Sequence, residues 1–124
     1  MIFAFFIILI HWVADFVLQT DNQAKGKSTS WKWLLSHTGT YSLVWLVIIC
    51  FLFPADWDFY QRGLYSIYFA GITFVCHTIT DYFTSRLNSR LWKEGKIHEF
   101  FVSIGFDQVL HYGQIFLTYH LLTN

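Results

Sequence analysis

The chain has 124 residues, of which 55% are hydrophobic, 22% aromatic and only 13% charged. Soluble domains carry roughly 25% charged residues, and a water-soluble fold of this size has too little interior to hide so much apolar surface. The composition therefore excludes an ordinary soluble domain and predicts a polytopic protein of the lipid bilayer. Eight basic residues balance eight acidic ones, so no basic excess indicates a nucleic acid partner.

Four long apolar segments predict an all-α fold, a four-helix transmembrane bundle formed as a single domain over residues 1–124. A membrane-spanning helix needs about 20 mostly apolar residues. The predicted spans cover residues 1–20, 31–53, 62–85 and 98–122. The first is interpreted as a retained span rather than a signal peptide, because it has no basic segment or small-residue cleavage site. Cys50 and Cys76 lack a nearby partner and are predicted to be buried free thiols.

Basic residues are divided unequally between the two sides of these spans. Seven of the eight Lys and Arg residues lie in or beside the stretches that join span one to two and span three to four, and only Arg62 lies on the opposite side. Lys and Arg favour cytoplasmic loops. We therefore predict a multi-pass inner (cytoplasmic) membrane protein with both termini outside and both basic loops in the cytoplasm.

Ionisable residues recur inside the apolar segments as pairs four residues apart. The pairs are His11 with Asp15 in HWVADF, His77 with Asp81 in HTITDYF and, in reversed order, Asp107 with His111. Residues four apart share one helical face. An Asp at the centre of a span costs roughly 2.5–3.5 kcal/mol on insertion scales, so these faces are predicted to turn inward and to meet one another.

All four predicted helices bring such groups to one layer, between the cytoplasmic surface and the midplane, at about 1.5 Å of depth per residue. Carboxylates and imidazoles on facing helices form the metal sites of helical bundles. The predicted ligands are His11, Asp15, His37, His77, Asp81, Asp107 and His111. They suit a divalent metal, zinc in the first place, with iron or manganese as alternatives. Seven candidates leave room for two ions, or for one ion with carboxylates that orient its imidazoles.

Two further patterns accompany this set. The two His-x-x-x-Asp copies lie 66 residues apart, and each precedes a basic loop and another span. A tandem two-helix repeat explains this pattern, and so does a short chance match. Lys25, Lys27, Arg86 and Arg90 are predicted to surround the cytoplasmic mouth of the site, where they either only orient the protein or also attract anionic headgroups or phosphate.

Several spaced motifs resemble the DUF3307 family of small phage and bacterial membrane proteins. HWVADFVLQT, followed by two lysines and LLSH, resembles the start of that family, and HTITDYFTSR and IGFDQVLH resemble its second half. The resemblance covers nearly the whole chain and implies no particular activity. The His-x-x-x-Asp pattern is also similar, more loosely, to that of YdjM-like membrane-bound metal-dependent hydrolases, which implies a hydrolase by analogy.

From the residues and these resemblances we predict a metal-dependent hydrolase that acts on a lipid or phosphoester. Asp15, Asp81 and Asp107 are the predicted catalytic carboxylates, acting as ligands or bases, and a bound ion lowers the pKa of water to near 7. Three alternatives remain: a small proton or ion channel or transporter that uses the His/Asp set, a phage-encoded protein that binds a host membrane complex, and a purely structural polar network. Each is compatible with a homo-oligomer.

Overall fold

The computed structural model describes residues 2–124, and every regular element in that range is helical, as predicted. In chain order the elements are α1 (Ile2–Trp12), a π-helical turn (Val13–Val17), α2 (Asp21–Gly26), α3 (Trp31–Leu52), α4 (Phe59–Lys93) and α5 (Ile97–Thr123). Helix α4 packs against both α3 and α5. The bundle therefore has α4 at its centre, and its four long helical segments overlap the four apolar segments that the sequence analysis identified.

Two of these helices, α3 and α4, are long and apolar enough to cross a membrane. They contain 22 and 35 residues. At about 1.5 Å per residue both exceed the hydrocarbon thickness of about 30 Å. Helix α1 and the π-helical turn together form a shorter apolar helix, Ile2–Val17, and α5 contains 27 residues. By length and composition, the capacity to span a membrane is confirmed for two of the four predicted spans.

Reciprocal caps fix the starts of α2 and α4. The Thr20 hydroxyl oxygen accepts a hydrogen bond from the Gln23 backbone N–H, while the Gln23 side-chain carbonyl accepts one from the Thr20 backbone N–H. Asp58 and Gln61 do the same before α4. Such capping boxes satisfy backbone donors that a helix start leaves free. The first polar connection is consequently a short ordered helix, α2, rather than an irregular loop.

Helix α4 continues beyond its predicted end at residue 85 as far as Lys93. The added stretch, RLNSRLWK, is rich in good helix formers and contains no Gly or Pro. Gly95, with φ of 69°, then takes the left-handed conformation that commonly ends helices. Only Glu94, Gly95 and Lys96 connect α4 to α5.

Hydrogen bonds from Lys96 and Arg90 lower the pKa of the Glu94 carboxyl to about 2.

The interior of the bundle is unusually polar, and its outside is apolar. Within residues 2–124, fourteen buried residues are polar or charged and ten are hydrophobic. An aromatic and aliphatic cluster that includes Trp45 and Phe69 fills one part of the interior. Phe51, Phe59 and Leu121 are more than two-thirds exposed. Cys50 and Cys76 are free, as predicted, but only half-buried rather than buried.

Candidate metal centre

A π-helical turn carries Asp15 into the bundle. The Leu18 N–H donates to the Val13 carbonyl, five residues back, at 3.0 Å. Such wide turns are rare in α-helices and are frequently found at functional sites. Asp15 is buried, and its Oδ2 remains 3.6 Å from Nε2 of His11. Its other oxygen, Oδ1, is 3.0 Å from Nε2 of His37 on α3, so the carboxylate joins two segments of the bundle.

Four buried side chains converge at this point. They are Asp15, His37 from α3, and His77 and Asp81 from α4. One ligand atom of each lies within 4.8 Å of those of the other three. The Nε2 atoms of His37 and His77 are 3.3 Å apart. Asp15 Oδ1 is 3.5 Å from His77 Nε2, and Asp81 Oδ2 lies 3.3 Å and 3.6 Å from the nitrogens of His37 and His77.

These separations match the edges of a metal coordination tetrahedron. Metal–ligand bonds of about 2.0–2.2 Å to imidazole and carboxylate give tetrahedral edges of about 3.3–3.6 Å. Five of the six separations among the four atoms run from 3.0 to 3.6 Å, close to this range. The four residues could therefore hold one cation together.

Nε2 of His37 is surrounded by more polar atoms than it can serve as a hydrogen-bond donor. Nε2 of His37 lies within 3.4 Å of four other polar atoms: Asp15 Oδ1, Asp81 Oδ2, His77 Nε2 and Lys27 Nζ. A ring nitrogen carries at most one proton, so it can donate to only one of them. The Lys27 ammonium donates to Asp81 at 2.8 Å, and the lone pairs of the other atoms are the kind that a metal ion could bind.

A second group shares Asp81 with the first. Asp81 Oδ1 is 3.1 Å from Nε2 of His111, which is 3.4 Å from Oδ1 of Asp107. One ligand atom from each of these three residues again lies within 4.8 Å of the others. Asp107 Oδ1 is buried without a hydrogen-bond partner, as expected of an oxygen that faces a cation. The residues of both groups thus fit a divalent metal, with Asp81 as the bridge between them.

His11 belongs to neither group and instead holds its neighbours in position. Tyr41 OH lies 2.6 Å from its Nδ1, and its Nε2 lies 2.8 Å from Oε1 of Gln108. The Gln108 amide then donates to Asp107 at 3.1 Å and to Asp15 at 3.5 Å. The contacts form one consistent chain if Tyr41 donates to Nδ1 and Nε2 donates to Gln108. His11 is therefore placed to orient the two carboxylates through Gln108.

A family model described as "Protein of unknown function (DUF3307)" matches residues 2–124. The chain belongs to the DUF3307 family. This confirms the resemblance read from the spaced motifs. No curated protein and no solved structure matches the chain. The likeness of this DUF3307 chain to YdjM-like hydrolases accordingly rests on the His-x-x-x-Asp pattern alone, and the phage association stays a prediction.

Lys27 of this DUF3307 chain lies within the metal centre, whereas the sequence analysis predicted that it would lie at the cytoplasmic mouth of the site. Its Nζ is 2.8 Å from Asp81 Oδ2 and 3.4 Å from His37 Nε2. Burial opposes its charge, yet the carboxylates of Asp81 and Asp15 raise the pKa of Lys27 above its usual value. Lys25 lines a cavity beside the centre. Arg86 instead stacks over Tyr82, and Arg90 pairs with Glu94.

Tyr41 is a further residue that the sequence did not single out. Its ring stacks on His77 at 4.1 Å between centroids, and His77 stacks on His111 at the same distance. Nδ1 of His77 has no hydrogen-bond partner. The His77 ring is thus held by two stacking partners, Tyr41 and His111, in addition to the contacts of its Nε2. The spacing LLSHTGTY, which puts Tyr41 four residues after His37, was the available signal.

Proposed function

We propose that this DUF3307 protein is a four-span inner-membrane protein that holds a divalent metal ion and hydrolyses a lipid or phosphoester. The proposal extends two coarser findings: α3 and α4 could cross a membrane, and the buried His/Asp groups could hold a metal. The observation that carries it is the set of four ligand atoms from the π-helical turn, α3 and α4 at tetrahedral separations.

The distribution of side chains supports the four-span topology. Large apolar side chains are exposed along α1, α3, α4 and α5, while the ionisable ones of the metal centre are buried. In water this arrangement would expose a continuous apolar surface. In a bilayer it directs the ionisable groups of the metal centre away from lipid. The basic connections before α3 and before α5 then lie in the cytoplasm, with both termini outside.

The donor set supports zinc, and iron or manganese are the alternatives. Imidazole nitrogen with carboxylate oxygen suits all three metals. A divalent ion there would supply Lewis-acid chemistry and lower the pKa of water to near 7. Asp107 Oδ1 has no hydrogen-bond partner and is the proposed proton acceptor when only the first group, Asp15, His37, His77 and Asp81, holds an ion. The ammonium of Lys27 faces the same centre and compensates negative charge on a phosphoester oxygen.

Elemental analysis of the purified full chain tests the metal site. We expect bound metal in the unaltered protein and in His120→Ala, whose exposed ring lies nine residues after His111 on α5 and hydrogen-bonds to Asn124. We expect none in His77→Ala or in the milder His77→Gln. Circular dichroism and size-exclusion chromatography check that the variants are folded. Stoichiometric metal in a folded His77 variant would contradict the proposed site.

Hydrolysis needs a separate assay. Metal-loaded protein in nanodiscs is incubated with a phospholipid and with a fluorogenic phosphodiester, and a chelated sample serves as the control. We expect turnover only with metal, and much weaker turnover in Asp107→Asn because its free oxygen is the proposed proton acceptor. Turnover unaffected by chelation would show that the metal centre does not perform the reaction.

Ion or proton transport is the second candidate, and one structural observation favours it. The amide of Gln114 donates to Thr73 and Thr118, both buried. These residues extend the polar interior beyond the His/Asp layer, toward the side where the sequence offered few ionisable groups. A liposome flux assay separates the candidates, since flux through metal-free protein favours transport and turnover without flux favours hydrolysis.

A further inference from the structure

A cavity of about 420 Å³ opens beside the metal centre. It lies between the π-helical turn, the segment around α2, the end of α4 and the start of α5; we call it the α4–α5 cavity. Asp15, Asp107 and Gln108 contribute to its lining, so it connects the candidate metal centre with the surroundings of the bundle. A molecule bound there would lie against two of the proposed functional carboxylates.

Unpartnered polar atoms are concentrated in this cavity. Eight buried side-chain atoms within residues 2–124 have no hydrogen-bond partner. Besides Asp107 Oδ1, which belongs to the metal centre, three of them belong to residues that line the cavity: Gln19 Oε1, Ser85 Oγ and Asn88 Oδ1. Ser85 is only 8% exposed. Buried polar groups are normally satisfied, so this concentration indicates a polar ligand.

The orientation of Gln19 determines what that ligand must offer. Its Nε2 donates to the Asp15 backbone carbonyl at 3.2 Å. A carbonyl oxygen only accepts hydrogen bonds, so the amide cannot be turned around without losing this bond. Oε1 is therefore the atom left free, and it is an acceptor. The ligand must supply a hydrogen-bond donor, such as a hydroxyl group, to satisfy it.

The remaining lining is basic on one part and apolar on another. Lys27 pairs with Asp81 in the metal centre, and Lys25 and Lys93 contribute further positive charge to the lining, which favours an anionic group such as phosphate. Phe16, Trp92, Phe100 and Ile104 form the apolar part. Phe16 and Trp92 are both well exposed. A free phosphate would leave this apolar surface uncovered, whereas a hydrocarbon chain attached to the phosphate would bury it.

We propose that the α4–α5 cavity binds the headgroup of an anionic phospholipid whose phosphate carries a hydroxylated substituent, as in phosphatidylglycerol. The lysines receive the phosphate, the hydroxyl groups donate to Gln19 and Asn88, and the acyl chains follow the apolar side chains. This inference deepens the proposed function and rests on it for the reaction, because it names the lipid whose phosphoester lies beside the metal centre. Binding itself does not require that the lipid be cleaved.

Lipid binding to the purified full chain, followed by native mass spectrometry in detergent, tests the proposal. Three probes are compared: dioleoyl phosphatidylglycerol, dioleoyl phosphatidylcholine and soluble glycerol 3-phosphate. Phosphatidylcholine has the same chains and a phosphate, but its headgroup has no hydrogen-bond donor and its net charge is zero. We expect phosphatidylglycerol to bind at least about tenfold more tightly than either control. Equal affinity for the two lipids would overturn the proposal, and so would equally tight binding of glycerol 3-phosphate.

Matched variants locate the site. Gln19→Leu removes the free acceptor, and Lys93→Ala removes a lysine of the cavity; each should reduce the preference for phosphatidylglycerol about tenfold. Lys32→Ala is the control, because Lys32 stacks over Trp33 and does not line the cavity. An undiminished preference in both cavity variants would overturn the assignment, as would a loss in Lys32→Ala equal to theirs.

Binding is measured on both metal-loaded and chelated protein so that the two proposals can fail separately. A preference for phosphatidylglycerol without any cleavage would support the cavity and contradict the hydrolase. Cleavage of both lipids at equal rates, with equal binding, would support the hydrolase and overturn the cavity.

Discussion

Lys27 provides the sharpest test of how charge is balanced in the centre. In Lys27→Met the ammonium is lost while Asp81, 1% exposed and 2.8 Å from Nζ, keeps its charge in the interior. Removing one partner of a buried ion pair destabilises proteins by about 3–5 kcal/mol, because the other charge is left uncompensated. The Lys27 side chain is 18% exposed, and solvent screening reduces the effect. We therefore expect a loss of about 2–3 kcal/mol in metal-free protein.

Thermal unfolding in detergent measures this loss, with and without a divalent metal. The double variant Lys27→Met/Asp81→Asn removes both charges and should recover much of the stability in metal-free protein. Added metal should stabilise Lys27→Met more than the unaltered chain, since the ion then replaces the missing positive charge. Equal melting temperatures for Lys27→Met and the unaltered metal-free protein would refute the charge argument, as would a double variant less stable than either single one.

Three other substitutions or treatments have distinct expected outcomes. His11→Ala should weaken metal affinity about 10–100-fold without abolishing binding, because His11 orients the ligands through Gln108 and is not itself one of the four grouped ligands. Competition with a metal-sensitive dye measures this affinity. Complete loss of metal would instead indicate that His11 is a ligand. Trp45→Ala should lower stability by about 3–5 kcal/mol through the cavity it leaves yet keep the metal stoichiometry, which calorimetry and elemental analysis check together. Chelation should lower the melting temperature of the unaltered chain and leave that of His77→Gln unchanged, because only the former binds metal.

The long helices and the polar groups that share one face could be predicted from apolar length and helical spacing. Apolar length gave the positions of α3, α4 and α5, and helical spacing with common depth grouped the imidazoles and carboxylates that the structure brings together. An ionisable side chain inside an apolar segment is costly to leave without polar partners, so it is expected to face the ionisable side chains of neighbouring helices. The family assignment followed from the same spaced motifs.

The remaining features depend on tertiary contacts that cannot be inferred from the spacing of residues along the sequence. The π-helical turn at Val13–Val17 contains no Gly or Pro, so nothing in the sequence indicated an interrupted helix there. Lys27 reaches Asp81 only because capped α2 folds the connection back over the bundle. The position of Lys27 in a polar stretch suggested a solvated loop. His11 has the same spacing to its Asp as His77, yet Tyr41 and Gln108 engage both of its nitrogens.

The charges of the centre also predict how many ions it holds at rest. Three carboxylates, Asp15, Asp81 and Asp107, face one ammonium, that of Lys27. With neutral imidazoles the formal charge is −2, which a single divalent ion cancels. A second ion would leave an uncompensated double positive charge in a buried site, which is costly, unless an anion such as a phosphate accompanied it. Elemental analysis should therefore give one metal per chain in phosphate-free buffer, and two per chain under those conditions would contradict this charge assignment.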